Sequence, residues 1–316
     1  MDLRAGLPLA ILSAASFALS GPLARGLIDT GWSPNAVVLA RTAIAALVLA
    51  PFAARALRGR WAVLREHRRL LLTYGAVPVA GTQFAFFSAV AAMDVGPSLL
   101  IEYTAPAAIV AWLWFRHGER PTRLTCAGAA VAAAGLVLVL DLLSGSDLAL
   151  DGVLWASAAM LGAATYFVLS ARVSDLPPLA LAGGGLTIGA VVLGVLGAVG
   201  LLPMHASTAA PTYAGHTVVW WLPFIGLGVI TAAIAYVAGI AASRRLGSRL
   251  ASFVALLEVV AAVTFAWLLL DQVPSTSQMI GGAVVVLGVI IVKLGEPQHH
   301  ADPRLDEASD LPPPFS

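Results

Sequence analysis

Charge is scarce in this sequence. Of 316 residues only 11% are Asp, Glu, Lys or Arg, against roughly a quarter in a soluble globular domain. Cysteine is reduced to Cys126, which excludes an internal disulfide and a cysteine-built metal centre. No Walker A loop, zinc signature or nucleophile elbow is present, so ATP-driven work within this chain is not expected. No basic patch alternates with aromatics, so no nucleic-acid partner is expected. The histidines, at 67, 117, 205, 216, 299 and 300, all fall between or beyond the apolar runs. That placement argues against a membrane-embedded enzyme, which needs paired catalytic groups near one membrane face. Lysine is nearly missing, with Lys293 alone among 18 basic residues, a bias that fits GC-rich bacterial coding better than any function.

What fills the chain is apolar. Hydrophobic residues make up 59% and the mean hydropathy is +0.89. Runs of about 20 apolar residues, each long enough to cross a bilayer, recur near 7–27, 34–54, 70–92, 98–115, 122–142, 152–171, 179–202, 219–241, 249–270 and 276–294. The first resembles a secretory signal peptide, but it has a partner in the second half and is read as a span. The tail "GEPQHHADPRLDEASDLPPPFS" is acidic and proline-rich and is expected to be disordered. Arginines cluster between spans two and three, after span four and after span eight. Asp94, Asp141, Asp147, Asp151 and Asp271 fall on the other side, with Arg25 the basic exception. The positive-inside rule then places both termini in the cytoplasm.

The halves repeat. Gly75 and Gly226, and Gly96 and Gly247, are 151 residues apart. Pro121 and Pro274, Gly128 and Gly281, and Gly135 and Gly288 are 153 apart. "AASF" at 14–17 pairs with "AATY" at 163–166. Five spans per half is an odd number, so the second half must insert upside down, and the loop charges invert accordingly. The expected fold is an all-α polytopic membrane protein of ten transmembrane helices in two inverted five-helix repeats, residues 1–145 and 146–295, followed by the tail 296–316. Inverted repeats mark secondary transporters, in which the substrate sits between repeats near the midplane.

The segments "EYTAPAAIVAWLWFRHGERPT", "ASFVALLEVVAAVTFAWLLLDQVPS" and "GGAVVVLGVIIV" together resemble the EamA-type transporters of the drug/metabolite transporter superfamily. The resemblance spans roughly residues 7–294. It implies a central cavity ringed by helices one to four and six to nine, with five and ten outside. It also implies export or import of small metabolites, often amino acids. Separately, the expected location is a bacterial inner membrane and the expected state a monomer or homodimer. Where a proline often follows the second-repeat glutamate this chain has "LLEVV", and Asp271-Gln272 stands where "GE" is common.

Three charges lie inside spans: Arg41, Glu102 and Glu258. A charge at the bilayer centre costs about 2.5–3.5 kcal/mol on insertion scales, so such groups face protein or water and are functional candidates. The two glutamates occupy the equivalent helix of each repeat. Each is either a proton-exchanging, substrate-binding group or a structural carboxyl hydrogen-bonded to neighbouring backbone. Arg41 either anchors helix ends through carbonyls or clamps a substrate carboxylate. Pro78 and Pro106 break their spans and free carbonyls that only protein or water can satisfy; each is a site feature or a packing kink. Gln83, Tyr236, Tyr103, Tyr166 and Ser16 are further candidates for substrate contact, Ser16 from the stripe Ser13, Ser16, Ser20. A lone serine in such a helix more often bonds its own backbone. Phe84, Phe87, Trp112 and Trp114 fit a cavity wall or, more simply, packing and the interfacial belt. Gly185, Gly189, Gly228 and Gly239 fit close helix contacts.

The leading expectation is therefore a secondary active exporter of amino acids or related polar metabolites, proton-coupled or facilitative, needing no cofactor and no metal. A nucleotide-sugar or sugar-phosphate carrier ranks below it, because phosphate needs in-membrane cations and only Arg41 is available.

Overall fold

A computed structural model describes residues 3–92, 101–118, 120–139, 149–172, 174–271 and 273–295. The acidic tail, with His299 and His300, and Asp94, Asp141 and Asp147 lie outside the described residues. The first half comprises α1 (Leu3–Ala18), α2 (Ser20–Ile28), α3 (Pro34–Ala56), short α4 (Ala62–Glu66), α5 (Arg68–Tyr74), a π-helical segment Gly75–Gly81, α6 (Thr82–Ala92), α7 (Ala105–His117) and α8 (Arg123–Val139). The second half holds α9 (Leu150–Ser170), α10 (Pro178–Ala198), α11 (Leu222–Ile225), a second π-helical segment Gly226–Ile234, α12 (Ala235–Ala255), α13 (Leu257–Leu270) and α14 (Thr276–Gly295). Among the described residues six helical stretches are long and apolar enough to cross a membrane, and three shorter apolar helices accompany them. Helices dominate because hydrocarbon offers no partner for an open backbone N–H or C=O. The all-α expectation needs one correction: a small antiparallel hairpin, β1 (Thr212–Tyr213) with β2 (His216–Thr217), lies between α10 and α11.

Local chemistry sets several boundaries. Ser33 caps α3, its Oγ accepting from the Ala36 amide at 3.3 Å, with Pro34 in the first turn where a missing N–H costs nothing. Gly118, at φ 72°, closes α7 in the left-handed conformation. Within α12 the backbone turns sharply at Gly247 (φ 80°, ψ 163°), a conformation open only to glycine. The loop expected between the eighth and ninth runs is thus a single break between two helical pieces.

The two halves pack reciprocally. The largest interfaces are α8 with α14, α1 with α12, α3 with α10 and α6 with α9. By the sequence correspondence α1 matches α9 and α6 matches the first part of α12, so two of these interfaces are mates. The other two join each helix to its own counterpart. In the α8–α14 pair the glycines 153 residues apart permit the contact: a Cβ on Gly135 would lie 2.6 Å from the Val285 amide nitrogen, and one on Gly288 2.5 Å from that of Ala132. Backbones this close gain dispersion where lipid supplies no hydrophobic drive. The π-helical segments also correspond, beginning at Gly75 and Gly226. Only the first contains a proline, Pro78, so proline is not what widens the helix in the second.

Candidate functional site

Between the halves lies a cavity of about 540 Å³. Of the residues singled out from sequence, Glu102, Glu258, Gln83, Tyr236, Arg41, Tyr103, Tyr166, Pro78 and Pro106 all line it. Ser16 does not; it is buried at 4% exposure, while Ser13 and Ser20 of the same stripe face the cavity. At 3.6 residues per turn Ser20 falls about 20° from Ser13, whereas Ser16 falls about 60° to the side.

Both glutamates sit at interruptions of their helices. Glu102 precedes a turn at Tyr103–Thr104, after which α7 starts at Ala105. The Thr104 hydroxyl donates to the Ile101 carbonyl at 2.6 Å, and Pro106 occupies the first turn of α7. The chain is therefore broken beside Glu102 rather than kinked at a mid-helix proline. In the second half a turn at Leu256 separates α12 from α13, and Glu258 lies in the first turn of α13. Tyr103 and Glu258 are neighbours in the chamber wall. Glu102 and Glu258 are close enough to interact electrostatically, so two acidic groups from opposite halves share one chamber.

Arg41 is 8% exposed. Its Nη2 donates to the Thr231 carbonyl at 3.4 Å, inside the second π-helical segment, and its charge reaches Tyr236 and Glu258. The guanidinium is thus held to the wall by backbone, as the helix-anchoring reading expects, while still facing the carboxylates. The Thr231 hydroxyl turns to its own helix, donating to Leu227 O at 2.8 Å, and Ser88 does the same to Phe84 O at 2.9 Å.

Aromatic rings build one end. Tyr166 meets Tyr236 edge-on with centroids 5.7 Å apart, and Tyr236 meets Phe17 at 5.2 Å. Tyr74, fully buried, lies 5.9 Å from Tyr166 and bonds the Ser170 hydroxyl at 3.1 Å. The Tyr166 hydroxyl sits near those of Ser13 and Tyr74 yet is aligned with neither for a well-formed bond. Ser13 instead donates to Ala235 O at 2.9 Å, tying α1 to α12. Gly239, read from sequence as packing, lines the cavity and is where Tyr166 comes closest: a Cβ there would overlap the hydroxyl. Phe17, Phe86 and Phe167 also line the chamber and were not marked by sequence reasoning. Phe84 packs on Trp155 at 5.4 Å, Trp112 and Trp114 are exposed, and the Phe87 side chain lies outside the described residues.

At one end the cavity reaches exposed Gly21 and Arg25, and at the other it stops at buried Ala10, Ser243 and Ala251. Among the described residues its exposed lining thus lies at the α2 end and its most buried lining at the α12 break. Near the open end the hairpin straps the structure: Tyr213 Oη donates to Leu23 O at 2.6 Å, and the Ala214 amide donates to Leu269 O at 2.6 Å.

A multi-pass helical membrane protein with a largely apolar chamber between two reciprocally packed halves, lined by two carboxylates and a guanidinium, has the build of a transporter. A family model for the EamA-like transporter family matches residues 4–141 and again 150–294, and the chain belongs to that family. No curated protein matches the sequence. A solved crystal structure, titled only as that of a protein, shares the fold with a TM-score of 0.74 at 24% identity, over 93% of this chain and 99% of its own.

Proposed function

We propose that this protein is a secondary transporter that exports amino acids or related small polar metabolites from a bacterial cell by alternating access. In this reading ten spans form two inverted five-helix repeats, both termini are cytoplasmic, and the cavity is open to the outside. The observation that carries the proposal is the pairing of Glu102 and Glu258, one from each half, at helix interruptions inside a chamber closed at one end. A carboxylate at such a place can hold a proton in one access state and a substrate amino group in the other. The Tyr103 hydroxyl lies beside the Glu258 carboxylate. Arg41, held by Thr231 O, supplies the compensating positive charge on the same wall. Tyr74, Tyr166 and Tyr236 form the closed end, which must open for the inward-facing state.

Reconstitution into proteoliposomes with a panel of amino acids and amines tests the proposal. Counterflow of at least one panel member is expected. Glu258→Gln keeps the shape and hydrogen bonding of the side chain but fixes it neutral. It should abolish uptake driven by an imposed pH gradient while leaving counterflow at equal pH. Gradient-driven uptake at the wild-type rate in both Glu258→Gln and Glu102→Gln would refute proton coupling through these groups.

A further inference from the structure

A second hollow lies where α1, α3, α10, the second π-helical segment and α12 come together. It measures about 360 Å³ and its lining is wholly apolar, including Leu9, Leu12, Phe52, Leu179, Val229 and Ala241. It is separate from the chamber: Val237 and Ala238 line this groove, whereas Tyr236 and Gly239 of the same turn line the chamber. Leu12, Phe52 and Ile234 stay exposed in it, so it opens sideways toward lipid.

Its length and its charged end decide what covers it. From Val229 to Ala241 the wall runs about 18 Å at 1.5 Å per residue. That is close to one leaflet of a hydrocarbon core about 30 Å thick. Beyond the Ala241 end, three of the walls each carry an exposed arginine: Arg4 on α1, Arg55 on α3 and Arg245 on α12. The start of α1 meets this part of α12, for a Cβ on Gly6 would lie 3.1 Å from Arg245 Cβ. Arg55 follows the lining residue Phe52 by about one helical turn. Arg245 folds back along its helix, its Nη1 donating to the Ala241 carbonyl at 2.9 Å, which sets the guanidinium at the groove's end. Among the described residues none of the three arginines forms an ion pair. An apolar slot one leaflet long, ending at uncompensated cations, complements a molecule with a long hydrocarbon chain and an anionic head. A second copy of the chain fits less well. Its helices would need contact across the whole core, and a two-fold axis along the membrane normal would bring two sets of the same arginines together.

We infer that this groove holds an acyl chain of an anionic phospholipid, with the phosphate at Arg55 and Arg245 and with Arg4 beside them. The inference goes beyond the transport reading and does not depend on it.

Native mass spectrometry of the full chain, released from detergent micelles titrated with one lipid at a time, tests it. Dioleoyl phosphatidylglycerol should form its first adduct at a concentration about tenfold or more below that of dioleoyl phosphatidylcholine. The double variant Arg55→Gln, Arg245→Gln alters only exposed side chains and should bring the two lipids within about twofold of each other. Ala241→Phe fills the groove and should weaken the phosphatidylglycerol adduct about fivefold or more with every arginine in place. Dihexanoyl phosphatidylglycerol, with the same head on short chains, should bind the wild type about tenfold or more weakly than the dioleoyl lipid. That comparison reads the chain contact even if Ala241→Phe fails to fold. Free glycerol phosphate in large excess should displace nothing. Equal adducts for the two heads in the wild type, selectivity kept in the double variant, short and long chains binding alike, displacement by glycerol phosphate, or a dimer in place of lipid adducts would each overturn the inference. Selective lipid adducts in a chain that shows no counterflow would remove transport and leave the lipid site standing.

Discussion

Replacing Gly239 by alanine puts a methyl group where the Tyr166 hydroxyl now lies. The new Cβ would overlap that oxygen, sit 2.8 Å from Ser13 Oγ and 3.3 Å from Tyr166 Cζ. Tyr166 lines the chamber, so the clash is relieved only by turning its ring further into that space, at the expense of its contacts with Tyr74 and Tyr236. Overpacking of this kind costs about 1–3 kcal/mol. Tyr166→Phe removes the worst-placed atom. Its own cost should be small, below about 1 kcal/mol, because the hydroxyl makes no well-formed hydrogen bond. The double variant therefore recovers part of the loss but not all, since Cζ and Ser13 Oγ remain too close. A favourable coupling energy of about 1 kcal/mol is expected between the two changes. Reversible unfolding by SDS in mixed micelles, followed by tryptophan fluorescence, measures all four corners of the cycle. If the two single effects add to within about 0.3 kcal/mol, then α9 and α12 do not meet at this hydroxyl and the closed end is built differently.

Two further outcomes follow from topology and from the hairpin. Single cysteines placed in 56–68 and in 205–216, in a Cys126→Ser background, should label from opposite sides of the membrane with an impermeant maleimide; labelling from one side would contradict the inverted arrangement. Burial, with a smaller contribution from Asp29, pushes the Tyr213 phenol well above its ordinary value. A raised folded value means the contribution to stability is intact below the unfolded value of about 10 and is lost as pH climbs through the folded one. Unfolding titrations should thus show falling stability above about pH 10, and Tyr213→Phe should flatten that decline while costing about 0.5–1.5 kcal/mol at neutral pH. An unchanged alkaline slope in the variant would show that Tyr213 is not the group responsible.

Much of the helical layout was legible because lipid imposes it. The run read at 276–294 is Thr276–Gly295, and that read at 34–54 is Pro34–Ala56, since apolar length and flanking charge are local properties. Glu102, Glu258 and Arg41 were legible for the same reason: a charge in an apolar run must face something polar. What the sequence did not disclose depends on contacts between distant segments. Gly226–Ile234 reads as an ordinary apolar helix, and nothing local marks it as π-helical. Tyr74 sits within "RRLLLTYGAV" beside a basic loop and looks interfacial, yet packing against Gly185 buries it completely. Pro106 suggested a mid-helix kink, but the interruption falls at Tyr103–Thr104, where the proline merely starts the next helix. Gly239 looked like one more small residue on a packing face, because the ring above it comes from Tyr166, 73 positions earlier.

The hairpin has no counterpart in the first half among the described residues; there the corresponding connection carries only α4. Two halves that pack reciprocally would, if equal in every other respect, make the two end states mirror images of equal free energy. The bonds from Tyr213 and Ala214 to Leu23 and Leu269 tie down one face alone. At about 0.5–1.5 kcal/mol for each bond, they weight the resting population between about fivefold and a little over a hundredfold toward whichever state keeps both. On the alternating-access reading the empty carrier would then wait on one side of the membrane, and a strap of six residues far from Glu102 and Glu258 would set how readily each side is served, while the gradients alone fix the direction of net flow.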